Sequence, residues 1–143
     1  MAALEPDRRM GGWSGVGYDD IEVGRTFPAQ PLPVGADDVA RFYGCLGEDA
    51  SPSRPGRRIP AFLLNEFKVL KSQMRFPPGV LHAREEIAML SAAFIGDPLT
   101  VEITIADKYI RNGKRFIVTD QHVRCTTDDR SVARIRHTLY WPC

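Results

Sequence analysis

The chain has 143 residues, 43% hydrophobic and 26% charged, the size and apolar content of one globular domain with its own core. Its 19 basic and 18 acidic side chains leave a net charge of +1, so no global field recommends nucleic acid or an anionic membrane as partner. Cys45, Cys125 and Cys143 are odd in number and widely spaced, giving neither a disulfide framework nor the paired spacing of a zinc site; reduced thiols, a cytoplasmic location and no metal or cofactor are expected.

From the N-terminus, Met1–Asp7 meet charge and proline before any apolar run, so no signal peptide is expected. Residues 1–17 carry Gly11, Gly12, Gly15 and Gly17 around Trp13 without periodicity and are expected to form a flexible arm, with the folded domain at 18–143. A first strand is predicted near Arg25–Leu32, confined to an edge by Pro28, Pro31 and Pro33. Asp37 and Asp38 then open a short helix whose apolar face is Val39, Ala40, Phe42, Tyr43 and Leu46 and which stops at Gly47. Prolines 52, 55 and 60 make Ser51–Pro60 a loop. Pro60 suits the start of a longer helix, Ala61 to about Met74, with Phe62, Leu63, Phe67, Leu70 and Met74 on its buried stripe; Pro77-Pro78-Gly79 ends it.

Four strands are predicted beyond that helix: Glu86–Ile95, Leu99–Arg111, Arg115–Thr127 and Ser131–Trp141. Alternation through Leu99, Val101, Ile103 and Ile105 carries the second, and Asn112-Gly113 is the strongest hairpin signal in the chain. The last alternates Ala133, Ile135, His137, Leu139 and Trp141 against Arg134, Arg136 and Thr138. One buried helix followed by an antiparallel meander is an α+β pattern, a curved sheet with a helix across its concave face.

The stretch Gly47-Glu48-Asp49-Ala50-Ser51-Pro52-Ser53-Arg54 resembles the signature of the MaoC-like (R)-specific enoyl hydratases and dehydratases. Asp49 and Pro52 match, Ser51 stands where Asn is usual, and Arg54 falls on the family's His. Val80-Leu81-His82-Ala83-Arg84-Glu85-Glu86-Ile87 resembles the segment leading into the third strand of the fatty-acid-synthase-type branch. Gly96-Asp97-Pro98-Leu99 resembles its Gly-Asp-x-Leu turn, and Tyr18–Gly24 its opening. The resemblance implies a single hot-dog domain acting as a hydratase or dehydratase on a β-hydroxyacyl thioester or polyketide-type intermediate, carried on CoA or an acyl carrier protein. It also implies a homodimer, or a pair with a second hot-dog subunit, because the family's site lies between two units.

Such chemistry needs a base at C2, an acid for the departing hydroxyl and donors for the thioester carbonyl. Asp49 carries over directly as acid or base, with the alternative that it caps local backbone amides. Ser51 is a candidate for orienting the water or hydroxyl. Arg54 cannot be a general base, since a guanidinium stays protonated; it is a candidate anion binder or, with Arg57 and Arg58, part of a solvated basic loop. His82 is the candidate replacement acid–base group, against the simpler reading of a backbone-bonded residue at the start of a strand. His137, sharing a face with Leu139 and Trp141, reads as a core or interface residue. Phe42, Tyr43, Ala61, Phe62 and Phe67 are candidate substrate-binding residues, with amides near Ala61–Leu64 facing the carbonyl. A second class of function stays open beside the enzyme: a non-catalytic subunit or chaperone that binds the acyl chain and completes a partner's site.

Overall fold

The computed structural model describes residues 16–48, 56–65 and 67–143, leaving aside the side chains of Phe67 and Lys68. Its strands are β1 (Gln30–Pro31), β2 (Leu81–Met89), β3 (Leu99–Arg111), β4 (Lys114–Cys125) and β5 (Arg130–Trp141). They form one antiparallel sheet in the order β1-β3-β4-β5-β2. Between β3 and β4, Asn112 and Gly113 take φ values of 52° and 72°, the left-handed pair that a two-residue hairpin requires and that Asn-Gly tolerates.

Alternation sorts the sheet into two faces. Leu99, Val101, Ile103 and Ile105 of β3, Ile117 and Val123 of β4, and Ile135, Leu139 and Trp141 of β5 are buried on the inner face. They share one cluster with Leu64, Val69, Leu70 and Met74, so Leu70 and Met74 of the predicted helical stripe pack there, with Leu63 partly buried against it. The outer face is polar and paired: Arg136 makes a bidentate bond to Asp120 at 2.7 and 2.8 Å.

Several boundaries differ from the sequence reading. The predicted first strand is reduced to β1, although Phe27 N–H bonds Ile103 O and Leu32 N–H bonds Leu99 O; prolines at 28, 31 and 33 interrupt the ladder by removing donors. The strand expected from Glu86 begins five residues earlier, at Leu81, and stops at Met89. The charged residues Arg84 and Glu85, placed before the predicted strand, suit a strand at a sheet edge. The single helix predicted over 61–74 is two segments, α2 (Ala61–Leu64) and α3 (Phe67–Gln73). Asn65 leaves the helical region at φ −88°, ψ 88°, as a residue with competing backbone bonds readily does. Val16, assigned to the arm, is buried; its carbonyl accepts the Trp141 indole N–H at 2.7 Å.

The first helix forms where expected, except that Leu46, read as part of its apolar face, caps its end and is 62% exposed. α1 (Ala36–Cys45) carries Asp37 and Asp38 in its first turn and buries Val39 and Ala40. Gly47, at φ 78°, ends it: Gly47 N–H bonds Gly44 O and Glu48 N–H bonds Tyr43 O, the paired Schellman bonds that favour glycine.

Candidate functional site

In a regular strand, residues three apart point to opposite faces. His82 pairs with Leu139 and Arg84 with Thr138, so Ala83 is an extra residue in β2. This bulge turns His82 onto the face that Glu85 already occupies opposite His137. The outcome is a compact polar cluster. His82 Nε2 lies 3.2 Å from His137 Nδ1 and 3.6 Å from Glu85 Oε2, and the two imidazole rings stand 5.0 Å apart at 58°.

The members differ in exposure. The His82 side chain is 33% exposed and that of Glu85 25%, whereas His137 is fully buried. Burial, and secondarily the His82 ring, lowers the His137 pKa from 6.5 to about 4. His137 is therefore neutral at ordinary pH, and its Nδ1 can share a single proton with His82 Nε2 or present a lone pair to it. Glu85 forms an ion pair whenever His82 is protonated. Beside the cluster, a hollow of about 170 Å³ is lined by Lys71, Phe76, Val80, His82 and Leu139, apolar walls with one imidazole and one ammonium.

Deeper on the inner face, Thr119 pairs in register with His137, and Gln121 with Ile135. Both are buried, and Thr119 Oγ1 and Gln121 Nε2 have no hydrogen-bond partner among the described residues. A larger hollow of about 480 Å³ lies among Glu86, Glu102, Asp120, His122, Arg134 and Arg136. Ile87, Ala88 and Ile135 line it as well, so its wall mixes charged and apolar groups. His122 there bonds Ser131 Oγ at 3.0 Å, with its pKa lowered first by burial and then by Arg134 and Arg124.

Of the candidates from the sequence, Asp49, Ser51 and Arg54 lie outside the described residues, as does the Phe67 side chain. Phe42, Tyr43 and Phe62 come together: Phe42 stacks on Phe62 at 6.3 Å and meets Tyr43 edge-on at 5.8 Å. Phe62 is 67% exposed, not on the buried stripe, because α2 is a single turn that commits only Leu64 to the core. Ala61 is half-buried at its start. The amide of Leu63, one of the donors expected for a carbonyl, already bonds Pro60 O at 3.0 Å. Arg57 is not solvated: it is buried, its guanidinium 3.8 Å from the centre of the Tyr43 ring and 3.7 Å from Glu48 Oε2. Glu85 and the contact between His82 and His137 were not foreseen, since a two-residue period cannot reveal a bulge.

No family model and no curated protein matches the chain in sequence. Solved structures do match. A MaoC-like dehydratase from Rhodospirillum rubrum aligns with a TM-score of 0.68 at 17% identity, over 89% of this chain and 97% of that one. The R-hydratase PhaJ1 from Pseudomonas aeruginosa gives 0.66 at 17% identity, over 90% and 86%. This chain has the hot-dog fold. The HadBC complex of Mycobacterium tuberculosis, a (3R)-hydroxyacyl-ACP dehydratase, aligns at 0.62 and 16% identity, over 82% and 96%. In the hot-dog frame the imidazole cluster stands on the inner face at the open β2 edge. Among the described residues no helix is long and apolar enough to cross a membrane.

Proposed function

We propose that this hot-dog chain is a MaoC-like hydratase or dehydratase acting on a 2-enoyl or β-hydroxyacyl thioester, with acid–base work shared between Asp49 and His82. The observation that carries the reading is the chain of contacts Glu85–His82–His137 at the mouth of a small apolar hollow. An acid–base pair with one solvent-accessible member, beside space for an acyl chain, is what the chemistry needs in place of the imidazole that Arg54 displaces.

In hydration, Asp49 takes a proton from water as the water oxygen bonds C3. The C2–C3 π electrons move into the thioester carbonyl as an enolate. His82 then protonates C2, Glu85 having stabilised its imidazolium and His137 holding its ring. Dehydration runs the same steps backwards. Ser51 orients the water, Arg54 holds an anionic group of the thioester carrier, and Phe42, Tyr43, Ala61, Phe62 and Phe67 border the acyl path.

Hydration of a short trans-2-enoyl thioester, followed by loss of the conjugated chromophore, tests the assignment. His82→Asn and Asp49→Asn should each lower kcat roughly 10²- to 10⁴-fold with little change in fold. Wild-type turnover in His82→Asn contradicts the role given to His82. A second reading has support in the likeness to the two-subunit HadBC complex: a hot-dog subunit that binds the acyl chain and completes a partner's site. A wild-type chain that binds an acyl thioester, turns none over alone and gains turnover with a second hot-dog subunit favours that reading.

A further inference from the structure

We propose that His82, Glu85 and His137 form a binding site for a divalent first-row transition-metal ion, which competes with the proton for the same nitrogen lone pairs. The ligand atoms of all three lie within 4.8 Å of one another. Metal–nitrogen and metal–carboxylate bonds of ~2.0–2.1 Å put two ligands of a tetrahedral ion about 3.3 Å apart. The separations from His82 Nε2 to His137 Nδ1 and Glu85 Oε2 are 3.2 and 3.6 Å, on either side of that value. The third separation, between His137 and the Glu85 carboxylate, lies within 4.8 Å, so binding all three asks the partly exposed Glu85 side chain to rotate toward His137.

Three further features agree. The donor set, two imidazoles and one carboxylate, suits zinc, cobalt, nickel or iron(II) rather than magnesium or calcium, which prefer oxygen. The ligands are held on two paired strands, two of them turned to one face by the Ala83 bulge, so the site is preorganised. His82 and Glu85 are partly exposed while His137 is buried, giving an ion one open side for approach and for a bound water. Lys71 lines the adjacent hollow, and its charge opposes a cation and lowers the affinity.

This site does not rest on the hydratase reading. Where both hold, a metal on His82 Nε2 removes that nitrogen from acid–base work, so zinc inhibits turnover and a chelator restores it.

Calorimetric titration of the full chain with zinc chloride at neutral pH, after chelator treatment, should give one ion per chain. Cobalt(II) should give a visible d–d spectrum without the thiolate band that Cys45, Cys125 or Cys143 would contribute. His82→Ala and Glu85→Gln, at partly exposed positions, should each weaken zinc binding by about 10-fold to 100-fold or more, and magnesium should not compete. A thiolate spectrum, no stoichiometric zinc binding, or unchanged affinity in both variants overturns the proposal. If the wild type binds zinc through these residues yet, freed of metal by a chelator, hydrates no enoyl thioester, the hydratase reading fails and the metal site stands.

Discussion

His137 is a buried polar ring among Ile135, Leu139 and Trp141, residues that read from sequence as the core face of a strand. Its folded pKa, about 4, lies below its ordinary 6.5. Between those values the unfolded chain binds a proton that the folded chain refuses. Its contribution is therefore full above about pH 6.5 and is lost as pH falls toward 4. Denaturant titrations with chelator present should show wild type losing on the order of 2–3 kcal/mol more over this window than His137→Gln; equal pH dependence would show that His137 is not held neutral. Thr119 Oγ1, buried and without a partner among the described residues, gives a second test. Thr119→Val should leave thermal stability unchanged or raised by about 1 kcal/mol, and a loss of more than that would mean the hydroxyl is satisfied in the folded chain. The sequence pointed to His82 through its motif and placed His137 in the core or an interface. It could not show that the two rings touch, because that contact depends on register between β2 and β5.

The element that builds the cluster is the bulge at Ala83. Were the same residues in a regular strand, His82 and Glu85 would point to opposite faces of β2. Deleting Ala83 removes the extra residue and leaves His82 two positions before Glu85, so both should still face His137 from a regular strand. If His82 has the proposed role, enoyl-thioester turnover should then stay within about tenfold of wild type with a cooperative thermal transition; a fall as deep as in His82→Asn would show that the ring's place depends on the bulged backbone itself and not only on its face. β3, β4 and β5 were readable to within a residue or two because strict alternation and Asn112-Gly113 leave little choice. β2 was not, since its charges occupy an exposed edge. The helix over 61–74 was read through Asn65 because apolar spacing continues across the break, and Phe62 was drawn into a stripe that α2 is too short to extend.

At the scale of the molecule, the two edges of the sheet are unlike. β1 has two residues and is flanked by prolines, a blunted edge. β2 has nine, with Leu81 61% exposed at one end and Leu90, just past the other, 52% exposed. Such an edge is expected to be covered, and solution mass measurement at micromolar concentration should give a dimer; a strict monomer would leave the site open to water and count against the hydratase reading. The hot-dog fold was recoverable from the order of its motifs. Of the proposed site, Asp49 is offered by a contiguous signature and lies outside the described residues, whereas the imidazole pair is assembled from two strands more than fifty residues apart. The most direct test of the account is a double-variant cycle, Asp49→Asn with His82→Asn, read as kcat for hydration of a short enoyl thioester. If the two act as one acid–base unit, the double variant should be about as slow as the slower single variant, whereas wild-type rates in either single variant, or losses that simply multiply, would contradict it.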